Sequence, residues 1–166
     1  MRGGNDDEAP EMLQYCLDND FELRFIEQMP LDAGHVWRRE NMVTAEEILE
    51  TLQQRFQLAP VRERRGSAPA ERWLVDGGPA TVGVLASVTR PFCGACVRTR
   101  VTADGQIRNC LFSTGETDLR ELMRGGAGDE QLAGQWQLAM WGKAAAHGGD
   151  SNGFAEPSRS MSAIGG

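Results

Sequence analysis

Three cysteines lie close together in the sequence and have the spacing of a metal or iron-sulfur site. Cys93 and Cys96 form a C-x-x-C pair, and Cys110 follows a predicted hairpin. A C-x-x-C pair is a short loop that lets two thiolates turn toward one ion, and a cysteine at a strand end can supply a third ligand. The pattern predicts a thiolate site for a soft or borderline metal, with zinc and iron-sulfur clusters as the main alternatives.

The fourth ligand distinguishes these two alternatives. A structural zinc normally takes four ligands, and here Cys16, His35 or His147 would have to come from a remote segment. A 4Fe-4S cluster held by three cysteines instead leaves one iron open to a substrate. Spacing alone favours zinc slightly, because zinc sites of this kind are common. Cys16 lies on the apolar face of a predicted helix and is expected to be a small core residue.

Two arginines follow the C-x-x-C pair closely. Arg98 and Arg100 lie two and four residues beyond Cys96. If this stretch is a strand, both guanidinium groups point to the same face beside the cysteines. A guanidinium is a planar fork suited to bidentate contact with phosphate. Two interpretations of this pair are about equally supported. The arginines bind an anion, or they are surface residues that neutralise nearby acids.

The chain ends in Gly165-Gly166. Without side chains, such an end can enter a narrow channel and bring its backbone amides close to a ligand. The alternative is a frayed end without function, which the physics of chain termini favours by itself.

Several predicted elements must position these residues. A helix is expected to about Asp20, followed by a strand over 21–27 in which Glu27 is taken as an exposed or salt-bridged carboxylate. Thr44 and Glu47 form a capping box that predicts a second helix. Strands are predicted at 71–75 and 81–88, then a hairpin around Asp104-Gly105 with arms at 98–103 and 106–111. Two helices are predicted last, at 118–124 with Thr117 as cap and at 129–141 with Leu132, Trp136, Ala139 and Met140 on its buried face.

Composition limits the class of protein. The chain has 166 residues, 40% of them hydrophobic, and a net charge of -7. These values are typical of a globular protein and argue against nonspecific nucleic-acid binding, which depends on Lys and Arg neutralising phosphates. No apolar run reaches the roughly 18 residues that cross a bilayer. We therefore expect a cytoplasmic protein without membrane contact, in which cysteines favour metal binding over disulfides.

Seven motifs in order along the chain resemble those of the molybdenum cofactor biosynthesis protein A family, the GTP 3′,8-cyclases of the radical S-adenosylmethionine class. They are residues 5–8 (NDDE), 22–31 (ELRFIEQMPL), 87–93 (SVTRPFC), 102–105 (TADG), 109–112 (NCLF), 141–143 (WGK) and 161–166 (MSAIGG). The order of the motifs is more specific than any one of them. Val97 and Gly4 depart from the family pattern, in which a polar residue and a valine are usual.

The resemblance implies a role for each candidate site residue. It implies that Cys93, Cys96 and Cys110 hold a 4Fe-4S cluster whose open iron receives the guanine of GTP, which reverses the preference for zinc. It also implies that Arg98 and Arg100 contact GTP and support catalysis, that Arg2 is a further GTP contact, and that Gly165 and Gly166 form a tail that reaches the active site.

The motifs match only about the C-terminal half of the family protein. The resemblance implies an α/β fold, with residues 1–58 as a remnant of a partial (β/α) TIM-like barrel and residues 59–166 as a C-terminal iron-sulfur-binding α+β region. The S-adenosylmethionine site and another 4Fe-4S cluster belong to the other half, whose C-x-x-x-C-x-x-C triplet does not occur in this sequence. We therefore expect a chain that is inactive alone.

Two further expectations concern partners and an alternative function. Besides GTP, the expected partner is a separately encoded N-terminal barrel half or a second copy of the chain. The alternative function is a non-enzymatic iron-sulfur or zinc module that binds a nucleotide or a partner protein.

Overall fold

The second helix begins where its capping box predicts, and the first ends two residues before the expected Asp20. The structure, a computed structural model, describes residues 1–31, 36–113, 115–143 and 159–164. Helix α1 runs over Ala9–Asp18 and helix α2 over Ala45–Gln53. The capping box is confirmed, because the Thr44 hydroxyl accepts a hydrogen bond from the Glu47 amide at 3.2 Å, and the Glu47 carboxylate accepts one from the Thr44 amide at 2.8 Å. On α1, Cys16 is buried, which confirms its place in the core.

Four strands form a mixed sheet beside these helices: β1 (Leu23–Ile26), β2 (Leu58–Pro60), β3 (Glu71–Val75) and β4 (Thr81–Leu85). Their order is β1-β4-β3-β2. Strands β1 and β4 are parallel, whereas the other two pairs are antiparallel. Between β3 and β4 the chain turns through Gly77 and Gly78, whose φ angles of 85° and 88° lie in the left-handed region that favours glycine.

The core of this part of the chain lies between the two helices and the sheet. It includes Leu13 of α1, Leu52 of α2, and Val82 and Val84 of β4, each at most 1% exposed. Each helix therefore buries one apolar face against the sheet, as amphipathic helices do. The result is a mixed α/β architecture, so the expected α/β class is confirmed. The interpretation of residues 1–58 as a remnant of a partial TIM-like barrel stays a prediction.

The chain forms two compact units. The first comprises Met1–Met29 and Arg38–Phe92, and the second comprises Pro30–Trp37 and Cys93–Gly166. The candidate cysteines and Arg98, Arg100 all belong to the second unit, and Arg2 belongs to the first. The domain boundary expected between residues 58 and 59 stays a prediction.

The second unit contains a three-stranded antiparallel sheet and two helices. The strands are β5 (Arg100–Val101), β6 (Gln106–Arg108) and β7 (Thr117–Asp118), in the order β5-β6-β7; the helices are α3 (Arg120–Arg124) and α4 (Asp129–Trp141). The predicted hairpin around Asp104-Gly105 is confirmed. Gly105 has a φ of 81°, and a Cβ there would lie 2.7 Å from the Cβ of Arg120, so only glycine fits.

Of two predictions about the last helices, one is wrong and the other is met only in part, since the expected buried face of the last helix is half-buried: Leu132, Trp136, Ala139 and Met140. Thr117 lies in β7 and does not cap a helix; α3 begins at Arg120, and the Asp118 carboxylate accepts a hydrogen bond from the Glu121 amide at 2.8 Å. Helix α4 has the predicted bounds, but none of its side chains is fully buried, and Trp141 is 77% exposed. Periodicity therefore identified the helix correctly and overstated its burial. Among the residues that the structure describes, no helix has the length and apolar character needed to cross a membrane.

Candidate functional site

A single turn of 3-10 helix holds the C-x-x-C pair. The turn covers Cys93–Ala95, and the Cys96 amide donates a hydrogen bond to the Cys93 carbonyl at 3.1 Å. Both cysteines are half-buried and outside any disulfide, and the same holds for Cys110, two residues beyond the end of β6. The turn places the two cysteines at either end of one short loop, and the hairpin returns the chain to deliver the third.

The thiols influence one another electrostatically. Burial is the largest cause that raises the pKa of Cys110, and the charges of Cys93 and Cys96 raise this pKa further. Burial also acts to raise the pKa of Cys96, but hydrogen bonds from Arg98 and Lys143 outweigh it, so this pKa lies below its ordinary value. Cys96 therefore forms a thiolate more readily than Cys110.

The chemistry of this donor set fits a three-thiolate ligand group, since Cys93, Cys96 and Cys110 are near enough for the first two to raise the pKa of the third. Within the described ranges, no group of three or more His, Cys, Asp or Glu side chains is close enough together to hold a metal ion. His35 and His147, the expected alternatives for a fourth ligand, lie outside the described residues. The ligand role of Cys93, Cys96 and Cys110 stays a prediction.

Arg98 is in direct contact with this site. Hydrogen bonding from its backbone amide and its side chain is among the causes that lower the pKa of Cys96, and its carbonyl accepts a hydrogen bond from Lys143, which lies 3.4 Å from the Cys96 sulfur. Strand β5 begins only at Arg100, so Arg98 precedes the strand, and the expectation that strand alternation puts both arginines on one face does not apply. Arg100 is half-buried and lies opposite Arg108 in the β5-β6 ladder.

Lys143 is a contact that sequence reasoning missed. Its Nζ lies 3.4 Å from the Sγ of Cys96 and donates a hydrogen bond to the Arg98 carbonyl at 2.6 Å. Near the end of α4, the side chain of Asn109 donates to the Ala139 carbonyl at 2.8 Å, which ties the helix to the residue beside Cys110. Lys143 belongs to the Trp141-Gly142-Lys143 motif, but no spacing signal connects a residue 47 positions away to the cysteine turn.

The remaining predicted residues are not brought into this site by the described contacts. Arg2, in the first unit, forms an ion pair with Glu47 at 2.6 Å and also donates to the carbonyl oxygens of Glu40 at 3.2 Å and Met42 at 3.3 Å. Its guanidinium is therefore bound to the start of α2 in this structure. Gly165 and Gly166 lie outside the described residues, and their expected roles stay predictions.

The comparisons with known proteins agree with one another on the family of this chain. The family model described as Molybdenum Cofactor Synthesis C matches residues 21–149. The chain is 65% identical over its whole length to a protein of Streptomyces coelicolor named GTP 3′,8-cyclase, and covers 49% of that protein. Proteins of the same name from Mycolicibacterium smegmatis and Rhodococcus opacus are 58% and 59% identical over 96% and 95% of the chain, which covers 45% of each.

The chain thus spans about half the length of the curated relatives it matches. The resemblance to the C-terminal half of this family of cyclases is confirmed by the family model and by the high identity. The chain belongs to the Molybdenum Cofactor Synthesis C family.

Proposed function

We propose that this chain is the GTP-binding half of a GTP 3′,8-cyclase in molybdenum cofactor biosynthesis, and that it carries a 4Fe-4S cluster. The observation that carries the proposal is the position of Lys143, whose Nζ donates to the Arg98 carbonyl at 2.6 Å and lies 3.4 Å from the Sγ of Cys96. The backbone amide and the side chain of Arg98 also act to lower the pKa of Cys96. The guanidinium of Arg98 can bind phosphate, and the thiol of Cys96 beside it can bind iron. The high identity to proteins named GTP 3′,8-cyclase supports the same reading.

In this proposal Cys93, Cys96 and Cys110 hold the cluster through their three thiolates. When bound, such a cluster supplies one iron with an open position for a substrate atom. The 3-10 turn orients the first two thiols, and the β5-β6 hairpin brings the third. Because the cluster is anionic in its thiolate shell, the positive charges of Arg98 and Lys143 next to Cys96 stabilise it.

The arginines bind the triphosphate of GTP in this proposal. Arg98 and Arg100 lie next to the cysteine turn and at the start of β5, and each guanidinium can donate two parallel hydrogen bonds to a phosphate. Arg2 would contribute a further phosphate contact by leaving Glu47. Gly165 and Gly166 would bring backbone amides to the substrate without steric hindrance.

The proposal also assigns a partner. The relatives are about twice as long as this chain, and the sequence has no C-x-x-x-C-x-x-C triplet, so the chain alone should not form cyclised product. An N-terminal barrel half that carries this triplet would complete the enzyme, whereas a second copy of the chain lacks the triplet as well and would be a partner in association only. Strand β1 lies at one edge of its sheet, and its Ile26 is 51% exposed, which supports an association there.

Anaerobic reconstitution with iron and sulfide tests the cluster and the substrate together. We expect about four irons per chain and an electron paramagnetic resonance spectrum of the reduced cluster that changes when GTP is added. Cys93→Ala, Cys96→Ala and Cys110→Ala should each lose iron, whereas the matched control Cys16→Ala should keep it, because Cys16 is a buried residue of the other unit. Arg98→Gln should keep iron and lose the response to GTP.

The alternative function predicts a different result. Tight binding of one zinc per chain, indifferent to GTP, would indicate a non-enzymatic zinc module and would contradict the proposal. Cyclised product formed by the reconstituted chain alone, with GTP, S-adenosylmethionine and reductant, would contradict the expected inactivity.

A further inference from the structure

Arg108, the last residue of β6, has the largest fully buried side chain in the part of the chain that the structure describes. Its side chain is 0% exposed, although arginine is almost never fully buried unless it is paired. The residue stands two positions before Cys110, the third candidate ligand. The partners of this buried charge therefore lie close to the site.

The guanidinium of Arg108 binds the segment that carries Cys110. Its Nη1 donates to the Glu116 carboxylate at 2.6 Å, and its Nη2 donates to the Leu111 carbonyl at 3.4 Å and to the Ser113 carbonyl. We call these three contacts the Arg108 anchor. Cys110 lies in the sequence between Arg108 and the two carbonyls. One side chain thus ties the backbone after Cys110 to the strand end before it.

The carboxylate partner of the anchor is itself fixed. The second oxygen of Glu116 lies 2.9 Å from Nη2 of Arg159. Arg159 also donates to both carboxylate oxygens of Asp104 in the hairpin turn, at 3.0 and 2.9 Å. Because Glu116 is held by two arginines, it offers Arg108 an acceptor in a defined place.

The Nε atom of Arg108 argues against a purely stabilising role. Among the described residues, this Nε is buried and has no acceptor. A buried donor without a partner lowers stability, and apolar residues can often replace a buried ion pair without loss of stability. The free energy of folding alone therefore explains this arginine poorly. The places to which its two Nη groups hold the chain explain it better.

We propose that Arg108 is a positioning residue for Cys110, whose buried guanidinium holds residues 109–113 in the conformation that presents the third thiol to the cluster. This inference rests on the proposed function, in which Cys110 is a cluster ligand. A lysine would keep the charge but ends in one nitrogen, without the two groups of the fork that reach Glu116 and the carbonyls separately. Loss of the fork permits local opening of the segment after Cys110.

Hydrogen exchange on the metal-free chain tests the anchor without a cluster or GTP. The double variant Arg108→Met with Glu116→Leu replaces the buried pair by apolar side chains, which proteins often tolerate. We expect the Ser113 amide, which donates to the Cys110 carbonyl at 3.3 Å, to exchange about tenfold faster in this variant. The Met123 amide in α3, hydrogen-bonded at 2.9 Å, is the internal control and should exchange as in the wild type.

If the double variant does not fold, Arg108→Lys is the second variant, because it keeps a positive charge beside Glu116. Unchanged exchange of the Ser113 amide in either folded variant would overturn the anchor.

Release of iron from the reconstituted chain tests whether the anchor positions Cys110. An excess of an iron chelator should remove iron from the folded Arg108 variants about tenfold faster than from the wild type, because residues that orient a ligand contribute to metal affinity. Arg124→Gln, which changes an exposed arginine at the end of α3, is the matched control and should release iron like the wild type.

The unfolding free energy of the same metal-free variants, measured in urea, separates positioning from a merely structural role. Positioning predicts faster iron release even from a variant as stable as the wild type. Release at the wild-type rate, or release that follows the unfolding free energy from variant to variant, would overturn the positioning role of Arg108. Failure of the wild type to bind iron would contradict the proposed function instead, and exchange of the Ser113 amide would still decide the anchor.

Discussion

Glu27 and Val88 are 61 residues apart in the sequence and are joined by a hydrogen bond of 2.8 Å from the Val88 amide to the Glu27 carboxylate. The same carboxylate accepts hydrogen bonds from the amides of Ala45 at 2.8 Å and Thr89 at 2.9 Å. Glu27 is only 1% exposed, so the expectation of an exposed or salt-bridged carboxylate is wrong. One side chain at the end of β1 therefore fixes both the start of α2 and the segment that follows β4.

Replacing Glu27 should destabilise the first unit strongly. Glu27→Ala leaves three buried or half-buried amides without their acceptor, and we expect a loss of roughly 3 kcal/mol or more in the free energy of unfolding. Glu27→Gln keeps one carbonyl oxygen and should cost less. Urea unfolding followed by circular dichroism measures both, with the exposed Glu50→Gln on α2 as control. A Glu27→Ala variant as stable as this control would contradict the structural role.

The capping box should make the stability of the first unit depend on pH. The hydrogen bond from the Thr44 amide, followed by that from Arg2, lowers the pKa of Glu47 below its ordinary value of 4.5. A lowered folded pKa contributes stability above the unfolded value, and this contribution is lost as the pH falls through the folded value. The free energy of unfolding of the wild type should therefore fall as the pH drops below about 4.5, and that of Glu47→Gln should fall less. An identical acid profile for the variant and the wild type would exclude this contribution.

The three site cysteines should differ in reactivity in the metal-free chain. The lowered pKa of Cys96 and the raised pKa of Cys110 predict that iodoacetamide at neutral pH alkylates Cys96 before Cys110, because the thiolate is the nucleophile. Mass spectrometry of the alkylated peptides gives the order. Lys143→Met should slow the reaction of Cys96, since it removes the Nζ group 3.4 Å from the sulfur. Faster alkylation of Cys110 than of Cys96 would contradict the expected order of their pKa values.

The edge of the first sheet should promote self-association. Among the described residues, β1 pairs only with β4, and apolar side chains near this edge are exposed: Phe21 just before β1, Ile26 on it, and Met12, which lines the same cavity as Ile26. Exposed strand edges of this kind favour pairing with another chain. Ile26→Lys should reduce the sedimenting oligomer, whereas Met123→Lys, at an exposed position on α3, should not. A sharp melting transition of a monomeric wild type would count against this prediction.

Local signals in the sequence predicted much of the fold. The capping box of Thr44 and Glu47, the Asp104-Gly105 turn and the bounds of α4 depend on residues within a few positions of one another. Such features are encoded by nearby side chains and need no remote partner. The cysteine spacing and the ordered motifs identified the family for the same reason, since both can be read along the chain.

Contacts between remote segments decided the rest. The sequence did not show that Glu27 binds Val88, that Lys143 reaches Cys96 or that Arg159 clamps Asp104, because each pair is more than 40 residues apart. The same limit explains α4, whose apolar spacing predicted a buried face that the surrounding chain covers only in part. Sequence by itself determined which chemistry the cysteines and arginines can perform. Only the tertiary structure decided which charged side chains contact the segments that carry these residues. Such contacts depend on long-range packing, which the local pattern does not specify.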